Sequence, residues 1–121
     1  MEAKELMIGD KVMVKVLSQI PNTYVLHTWT ANDYSRDIQV KPIPLTPEIL
    51  EKNGFIKVNS QRYDYGYPDT DCYVKVNPKK NMIHVNGRNA NSNLYSHSFV
   101  HELQRALRCC GLWDVADNFK I

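Results

Sequence analysis

"HSFVHELQRALRCCGLW", residues 97–113, is the stretch that decides the fold. Wound as a helix at about 100° per residue, it separates into two faces. One face is apolar and consists of Phe99, Val100, Leu103, Ala106, Leu107 and Cys110. The opposite face carries His97, His101, Gln104, Arg105 and Arg108, with Glu102 at the boundary. This pattern predicts an amphipathic helix from about 97 to 110, with its apolar face on a sheet and its polar face in solvent.

Both ends of this helix carry recognisable signals. Ser96 or Ser98 can cap its first turn by accepting a backbone hydrogen bond. Gly111 is well placed to close it, with Leu112 packing back as in a Schellman motif.

Short alternating segments earlier in the chain predict the sheet that the helix covers. After a turn signal at Gly9-Asp10, valines alternate with lysine and methionine over 11–16, the period-2 pattern of a half-buried strand. Pro42 and Pro44 restrict the end of the third extended segment to a sheet edge. Further strands are predicted at 22–30, 38–45, 55–58, 72–76 and 82–86, the last two forming a hairpin, whereas "NANSN" (89–93) is interpreted as a polar loop.

One short helix interrupts these strands at "LTPEILEKNGF", residues 45–55. Thr46 can cap it, and Pro47 at its first position loses no hydrogen bond that the helix needs. Asn53-Gly54 ends it, because these residues tolerate positive φ.

The fold class that follows is α+β, in a single domain of residues 1–121. It consists of a small curled antiparallel sheet, of which an SH3-like barrel is one form, with one short internal helix and a C-terminal helix packed on it. Trp113, Val115, Phe119 and Ile121 are expected to pack back onto this body or onto a second copy, which leaves a homo-oligomer open.

Composition excludes several classes of protein. Hydrophobic residues make up 43% and charged residues 23%, which is ordinary for a soluble globular domain. Fifteen basic residues oppose thirteen acidic ones, so no strong signature of a duplex-DNA binder is present, and nucleic-acid binding stays open. The three cysteines do not form a disulfide framework, and no apolar stretch resembles a signal peptide or a membrane span. We therefore expect a cytoplasmic protein, with no membrane partner and no cofactor.

The letters His101-Glu102 begin a zinc-protease helix, but Arg105 stands where the second histidine ligand is required. A guanidinium group repels a metal ion and cannot bind it. An alternative is a metal-dependent hydrolase built on His97 and His101, which are spaced i and i+4, although two solvent-facing histidines are the simpler interpretation. The turn acids Asp64, Asp69 and Asp71 are a further, less specific candidate for a magnesium site.

The basic side of the last helix is the stronger candidate for binding. His101, Arg105 and Arg108 can meet phosphate or carboxylate, for which arginine offers fixed donors. Tyr65, Arg62 and Arg88 can contribute a stacking ring and further charge from the sheet. The simpler interpretations are a solvated helix face and cross-strand aromatic packing. No nucleophile–base pair or phosphate-binding loop is recognisable, so we do not expect an enzyme.

Two phrases, "PIPLTPEILEKNGF" (42–55) and "FVHELQRALRCCGL" (99–112), resemble small uncharacterised proteins of phages and prophage-like elements of gut Bacteroidales. "IGDKVMVK" (8–15) precedes them in a similar order. The resemblance implies the cytoplasm of a host cell and an accessory role. The expected function is a non-enzymatic binding protein that counteracts host defence by binding a host protein or sequestering a nucleotide-like anion. A structural or DNA-associated phage component is the other alternative.

Overall fold

The computed structural model describes residues 5–16, 23–35, 38–60, 62–65, 73–80, 82–87, 90–95 and 99–121, and for 16, 86, 87 and 90–95 it describes the backbone alone. The described strands form two antiparallel sheets. The first has the order β2-β1-β3 and is built from β1 (Lys11–Val16), β2 (Val25–Thr28) and β3 (Ile38–Lys41). The second follows chain order and is built from β4 (Ile56–Asn59), β5 (Arg62–Tyr65), β6 (Tyr73–Asn77), β7 (Met82–Gly87) and β8 (Ala90–Tyr95).

Three α-helices accompany the sheets: α1 (Pro47–Lys52), α2 (Val100–Cys109) and α3 (Trp113–Asp117). Short 3₁₀ turns lie at Ala31–Ser35 and Pro78–Lys80. The α+β class is therefore confirmed, with the strands divided between two sheets. The hairpin prediction is also confirmed, because β6 and β7 pair from Tyr73↔Asn86 to Asn77↔Met82.

The interpretation of 89–93 as a loop was wrong, since most of that stretch belongs to β8. This strand pairs with β7 from Met82↔Tyr95 to Gly87↔Ala90. Backbone pairing with an adjacent strand specifies it, so it needs no apolar alternation of its own.

Capping of α1 follows its sequence signals. The Thr46 hydroxyl accepts a hydrogen bond from the Ile49 amide at 3.3 Å. After the helix ends, the Phe55 amide donates to the Leu50 carbonyl at 3.0 Å, which turns the chain back towards the core. Leu50 and Phe55 are both buried there.

The predicted Schellman end of α2 is confirmed. Gly111 has a φ of 79°, in the left-handed region that favours glycine. Its amide donates to the Arg108 carbonyl at 2.9 Å, and the Leu112 amide donates to the Leu107 carbonyl at 2.9 Å. At the other end, the N-cap is Phe99, whose amide donates to the Glu102 carboxylate at 3.3 Å. Ser96 and Ser98 lie outside the described residues.

The apolar face of α2 lies in the main core, as its periodicity predicts. Leu103 and Leu107 are fully buried with Val74 and Val76 of β6. A second, smaller cluster lies against the first sheet and contains Leu6, Val12, Val14 and Trp29. Of the tail residues, Phe119 is buried and Val115 and Ile121 pack against the core, whereas Trp113 is 52% exposed.

The prediction that the other side of α2 meets solvent was wrong. His101, Gln104 and Arg108 are 6%, 0% and 5% exposed, and Arg105 is half-buried. The turn before β1 and the segment containing α3 contact this side through hydrogen bonds and ion pairs. Polar groups can be buried at little cost when hydrogen-bond partners are provided. Helix α2 is therefore covered on both sides.

Gln104 joins three parts of the chain. Its Oε1 accepts from the Lys11 amide at 2.8 Å, while its Nε2 donates to the carbonyls of Gly9 and Ala116, both at 2.9 Å. One side chain thus links the start of β1 to both C-terminal helices, and it sets the position of the turn at residues 6–10.

Replacing Gln104 with alanine leaves these backbone groups without partners and opens a void. We expect Gln104→Ala to lower the free energy of unfolding by about 3 kcal/mol. The control Gln39→Ala, at an exposed position of β3, should change it by less than about 0.5 kcal/mol. Urea unfolding measures both, and equal losses would contradict the role given to Gln104.

Candidate functional site

The candidate site is built around an ion pair between the turn before β1 and α2. Arg108 Nη1 donates to Asp10 Oδ1 at 2.6 Å, and both side chains are almost completely buried, at 3% and 0% exposure. The other carboxylate oxygen of Asp10 accepts from the Met7 amide at 2.9 Å. A partly exposed carboxylate, that of Asp117, lies 3.6 Å from Arg108 Nη2. The guanidinium group therefore has one short hydrogen bond, to Asp10, and one longer ion pair, to Asp117.

Gly9 makes room for this guanidinium group. Its φ is 95°, and a Cβ at this position would lie 3.0 Å from Arg108 Nη2 and 3.2 Å from Asp117 Oδ1. Both the backbone conformation and the close approach require glycine. The Gly9-Asp10 turn therefore lies directly against the buried guanidinium group of Arg108.

A cavity of about 280 Å³ opens beside this ion pair, and its lining residues are Met7, Arg105, Arg108, Cys109 and Trp113. Its wall is mainly hydrocarbon. Trp113 forms one side, with its ring centroid 5.8 Å from the guanidinium carbon of Arg108. Arg105 and Cys109 are spaced i and i+4 on α2, so they lie one above the other along the cavity.

Several nitrogen atoms of the two arginines lack hydrogen bonds. Among the described residues, none accepts from Arg105 Nε, Arg108 Nε or Arg108 Nη2, and all three atoms are buried. An unsatisfied buried donor costs about 1–3 kcal/mol. A ligand that supplies anionic oxygen atoms would recover this energy, and charge-assisted hydrogen bonds are the stronger kind.

His101 lies one turn before Arg105 on α2. Its ring stacks on Phe99 at a centroid distance of 6.0 Å, and no described residue bonds to its Nδ1. Burial lowers the pKa of His101 below its ordinary value, and the Arg105 charge adds to this, while Glu102, Asp10 and Glu5 oppose it. Burial therefore favours the neutral form of the ring, which packs on Phe99.

A larger cavity, of about 340 Å³, includes Arg62, Lys75, Asn77 and His84 in its lining. Its cations already have partners. Arg62 donates two hydrogen bonds to Asp64, at 2.8 and 2.7 Å, which raises the pKa of Arg62. The Lys75 ammonium lies 5.1 Å from the centroid of the Tyr73 ring. The smaller cavity, with its unsatisfied donors, is therefore the better candidate.

The structure separates the site residues expected from the sequence. Arg105 and Arg108 line one cavity and Arg62 lines the other. The Tyr65 ring packs against Phe55 in the core, with centroids 5.3 Å apart, so its observed role is packing. Arg88 lies outside the described residues, as does His97 of the metal alternative. Within the described ranges, no three His, Cys, Asp or Glu side chains are placed to hold a metal ion.

Sequence reasoning missed Trp113, Met7 and Asp10. Trp113 was assigned to tail packing, and Gly9-Asp10 was interpreted only as a turn. The sequence held one signal for the buried ion pair. Asp10 adjoins the turn residue Gly9, and Arg108 lies on a helix that has to pack against the rest of the domain.

Comparisons with models of known protein families, with curated proteins and with solved structures find no match to this chain. Among the residues that the structure describes, no helix has both the length and the apolar character needed to cross a membrane. The geometry of the cavity is therefore the basis for a functional proposal.

The Asp10–Arg108 pair can be tested by removing one charge without changing shape. We expect Asp10→Asn to lower the free energy of unfolding by about 3–5 kcal/mol, because it leaves a buried guanidinium without its carboxylate. The matched control is Asp117→Asn, because that side chain is 54% exposed and 3.6 Å away, and its effect should stay below about 1 kcal/mol. Denaturant unfolding at neutral pH measures both, and an Asp10→Asn effect no larger than the control would contradict this assignment.

The lowered pKa of His101 predicts a pH dependence. Below its ordinary pKa of 6.5, the unfolded chain binds a proton that the buried ring resists, so stability falls as the pH drops through 6.5. Unfolding free energies measured between about pH 7.5 and pH 5.5 should decline less in His101→Gln than in the wild type. The same decline in both proteins would show that His101 does not cause it.

Proposed function

We propose that this protein is a non-enzymatic accessory binding protein of phage origin that sequesters a small anionic ligand in the host-cell cytoplasm. The ligand class is a planar ring system that carries a phosphate or carboxylate group, and a nucleotide is its phosphate-bearing form. The observation that carries the proposal is the set of three buried guanidinium nitrogens without acceptors beside the cavity of Arg105, Arg108 and Trp113.

The cavity suits a ligand with two different parts. Its hydrocarbon wall and the indole of Trp113 favour a flat apolar ring, since stacking tolerates many ring types. The acidic group belongs at the Arg105–Arg108 end. The guanidinium nitrogens are covered in this structure, so binding requires Trp113 to shift from its place beside Arg108. Trp113 is half exposed and begins the five-residue helix α3.

The size of the cavity favours a small molecule over a host protein. A volume of about 280 Å³ lies near the lower end of small-molecule sites. A stable protein–protein interface instead needs roughly 800 Å² from each partner. A nucleotide that serves as a defence signal would meet the requirements of size, ring and charge.

The phage origin is supported by the resemblance of the phrases at 42–55 and 99–112. Sequestering a nucleotide signal would counteract a host defence that depends on it. This role needs binding alone, and the cavity provides a binding surface without an evident nucleophile–base pair among its lining residues.

Calorimetric titration with adenosine 5′-monophosphate tests the proposal, with adenosine and inorganic phosphate titrated separately. We expect a dissociation constant below about 1 mM for the nucleotide and weaker binding of either part. Arg105→Gln should weaken nucleotide binding about tenfold or more, since a charge-assisted hydrogen bond contributes about 1.5–3 kcal/mol. Trp113→Ala should weaken binding by removing the stacking surface.

The matched control is Arg62→Gln, which removes an arginine from the other cavity and should leave nucleotide binding unchanged. Equal binding of adenosine and the nucleotide, or an affinity unaffected by Arg105→Gln, would contradict the proposal. If the protein retains a host protein and not a nucleotide, the protein-binding alternative would replace this proposal.

A further inference from the structure

We propose that the exposed face of the first sheet binds single-stranded nucleic acid, with lysine side chains on the phosphates and a tyrosine ring on the bases. This basic face is defined by six residues: Lys11 and Lys15 of β1, Tyr24 just before β2, Leu26 of β2, and Gln39 and Lys41 of β3. It shares no residue with the cavity beside Arg108, so the inference goes beyond the proposed function.

Strand register places these side chains on one side of the sheet. Lys15 is directly opposite Gln39, and Met13 is directly opposite both Leu26 and Lys41. Directly opposite residues of an antiparallel pair point to the same side, as do residues two apart on one strand. The other side of β1 lies against the smaller core cluster. Met13, at the centre, is partly buried against the main core, whereas Leu26, Gln39 and Lys41 are exposed.

The charge of this face has one sign. Its three strands contain no Asp or Glu. None of its three lysines forms an ion pair with a described residue, and Lys11 Nζ donates to the neutral hydroxyl of Thr28. Ammonium groups that no neighbouring carboxylate compensates attract a polyanion, and each phosphate that they neutralise releases a counterion.

Tyr24 gives the same face an aromatic surface. Its side chain is 37% exposed, and the ammonium groups of Lys15 and Lys41 lie 5.1 and 5.7 Å from the centroid of its ring. Cation–π contacts at exposed sites are weak, so either ammonium group can move from the ring to a phosphate. Leu26, which is 52% exposed, extends the apolar part of the face. Lysines beside an exposed ring are the arrangement by which proteins bind single strands without sequence preference.

This combination of charge and ring favours a single strand over a duplex or a membrane. In a duplex the faces of the bases are stacked on one another, so a tyrosine ring has no base to stack on, whereas unpaired bases offer their faces. Anionic lipid headgroups complement the lysines alone. The dependence of binding on the Tyr24 ring therefore distinguishes a single strand from both alternatives.

Fluorescence anisotropy with a labelled oligothymidylate of about twelve nucleotides tests the inference. We expect a dissociation constant below about 100 µM at low salt, and a slope of log affinity against log salt of about −2, since each phosphate neutralised on a single strand contributes about −0.7. Lys15→Gln and Lys41→Gln should each weaken binding several-fold and make the slope shallower by about 0.7. Tyr24→Leu should weaken binding about fivefold or more, whereas Tyr24→Phe, which keeps the ring, should not.

Oligouridylate of the same length is titrated in parallel, and binding of either strand supports the inference and shows whether DNA or RNA is preferred. The matched control is Lys80→Gln, which removes the same charge from the exposed turn after β6 and should change affinity by less than about twofold. Arg105→Gln should also leave oligonucleotide binding unchanged, so this inference and the proposed function fail separately.

Three results would overturn the inference: equal losses in Lys80→Gln and Lys41→Gln, no loss in Tyr24→Leu, or tighter binding of a duplex of the same length. Binding of phosphatidylserine vesicles by a protein that binds neither oligonucleotide would also overturn it, and would assign the basic face to a membrane surface.

Discussion

The fold depends on a polar contact in an otherwise apolar interior. Asp10, Gln104 and Arg108 bind the turn before the first strand to the last long helix, through hydrogen bonds of 2.6–2.9 Å. These contacts connect the part of the chain that forms the smaller sheet to the helix that covers the larger one. Hydrophobic contact alone is not directional, whereas these bonds fix one relative placement of helix and turn. The cavity exists because that placement leaves a gap between the turn and the start of α3.

A buried arginine is a costly means of connecting two elements. The desolvation cost of burying a guanidinium group is offset only when its donors find hydrogen-bond partners. An apolar pair of similar volume is often as stable. Here Asp10 satisfies one edge of Arg108, while Nε and Nη2 have no hydrogen-bond acceptor among the described residues. The Asp10 contact stabilises the fold, and Nη2 also lies 3.6 Å from the Asp117 carboxylate, whereas no such contact is seen for Nε. In the proposed function, these donors are the part of Arg108 that a ligand would use, whereas the Asp10 contact stabilises the fold.

Local signals in the sequence predicted much of the fold. The cap at Thr46, the glycine end at Gly111 and the alternation over 11–16 depend on neighbouring residues, so a linear reading can find them. The polar side of α2 could not be found in this way. Helical periodicity separates polar from apolar side chains. It does not show that a polar side chain will be buried by distant segments that supply its hydrogen-bond partners. Three partners of Gln104 and Arg108, namely Lys11, Gly9 and Asp10, lie 93–98 positions earlier in the chain. The strand β8 was missed for a similar reason, because its pairing with β7 specifies it.

The same long separations bear on the order in which the chain can fold during synthesis. The first sheet acquires its hydrogen bonds to Gln104 and Arg108 only after residues 104 and 108 have left the ribosome. Until then the Lys11 amide and the Asp10 carboxylate lack these partners, and contacts between distant residues slow folding because the intervening chain must first be ordered. Completion of the fold therefore waits until α2 has been synthesised, and a nascent chain stalled before α2 would expose the core-facing side of the larger sheet to chaperones and proteases.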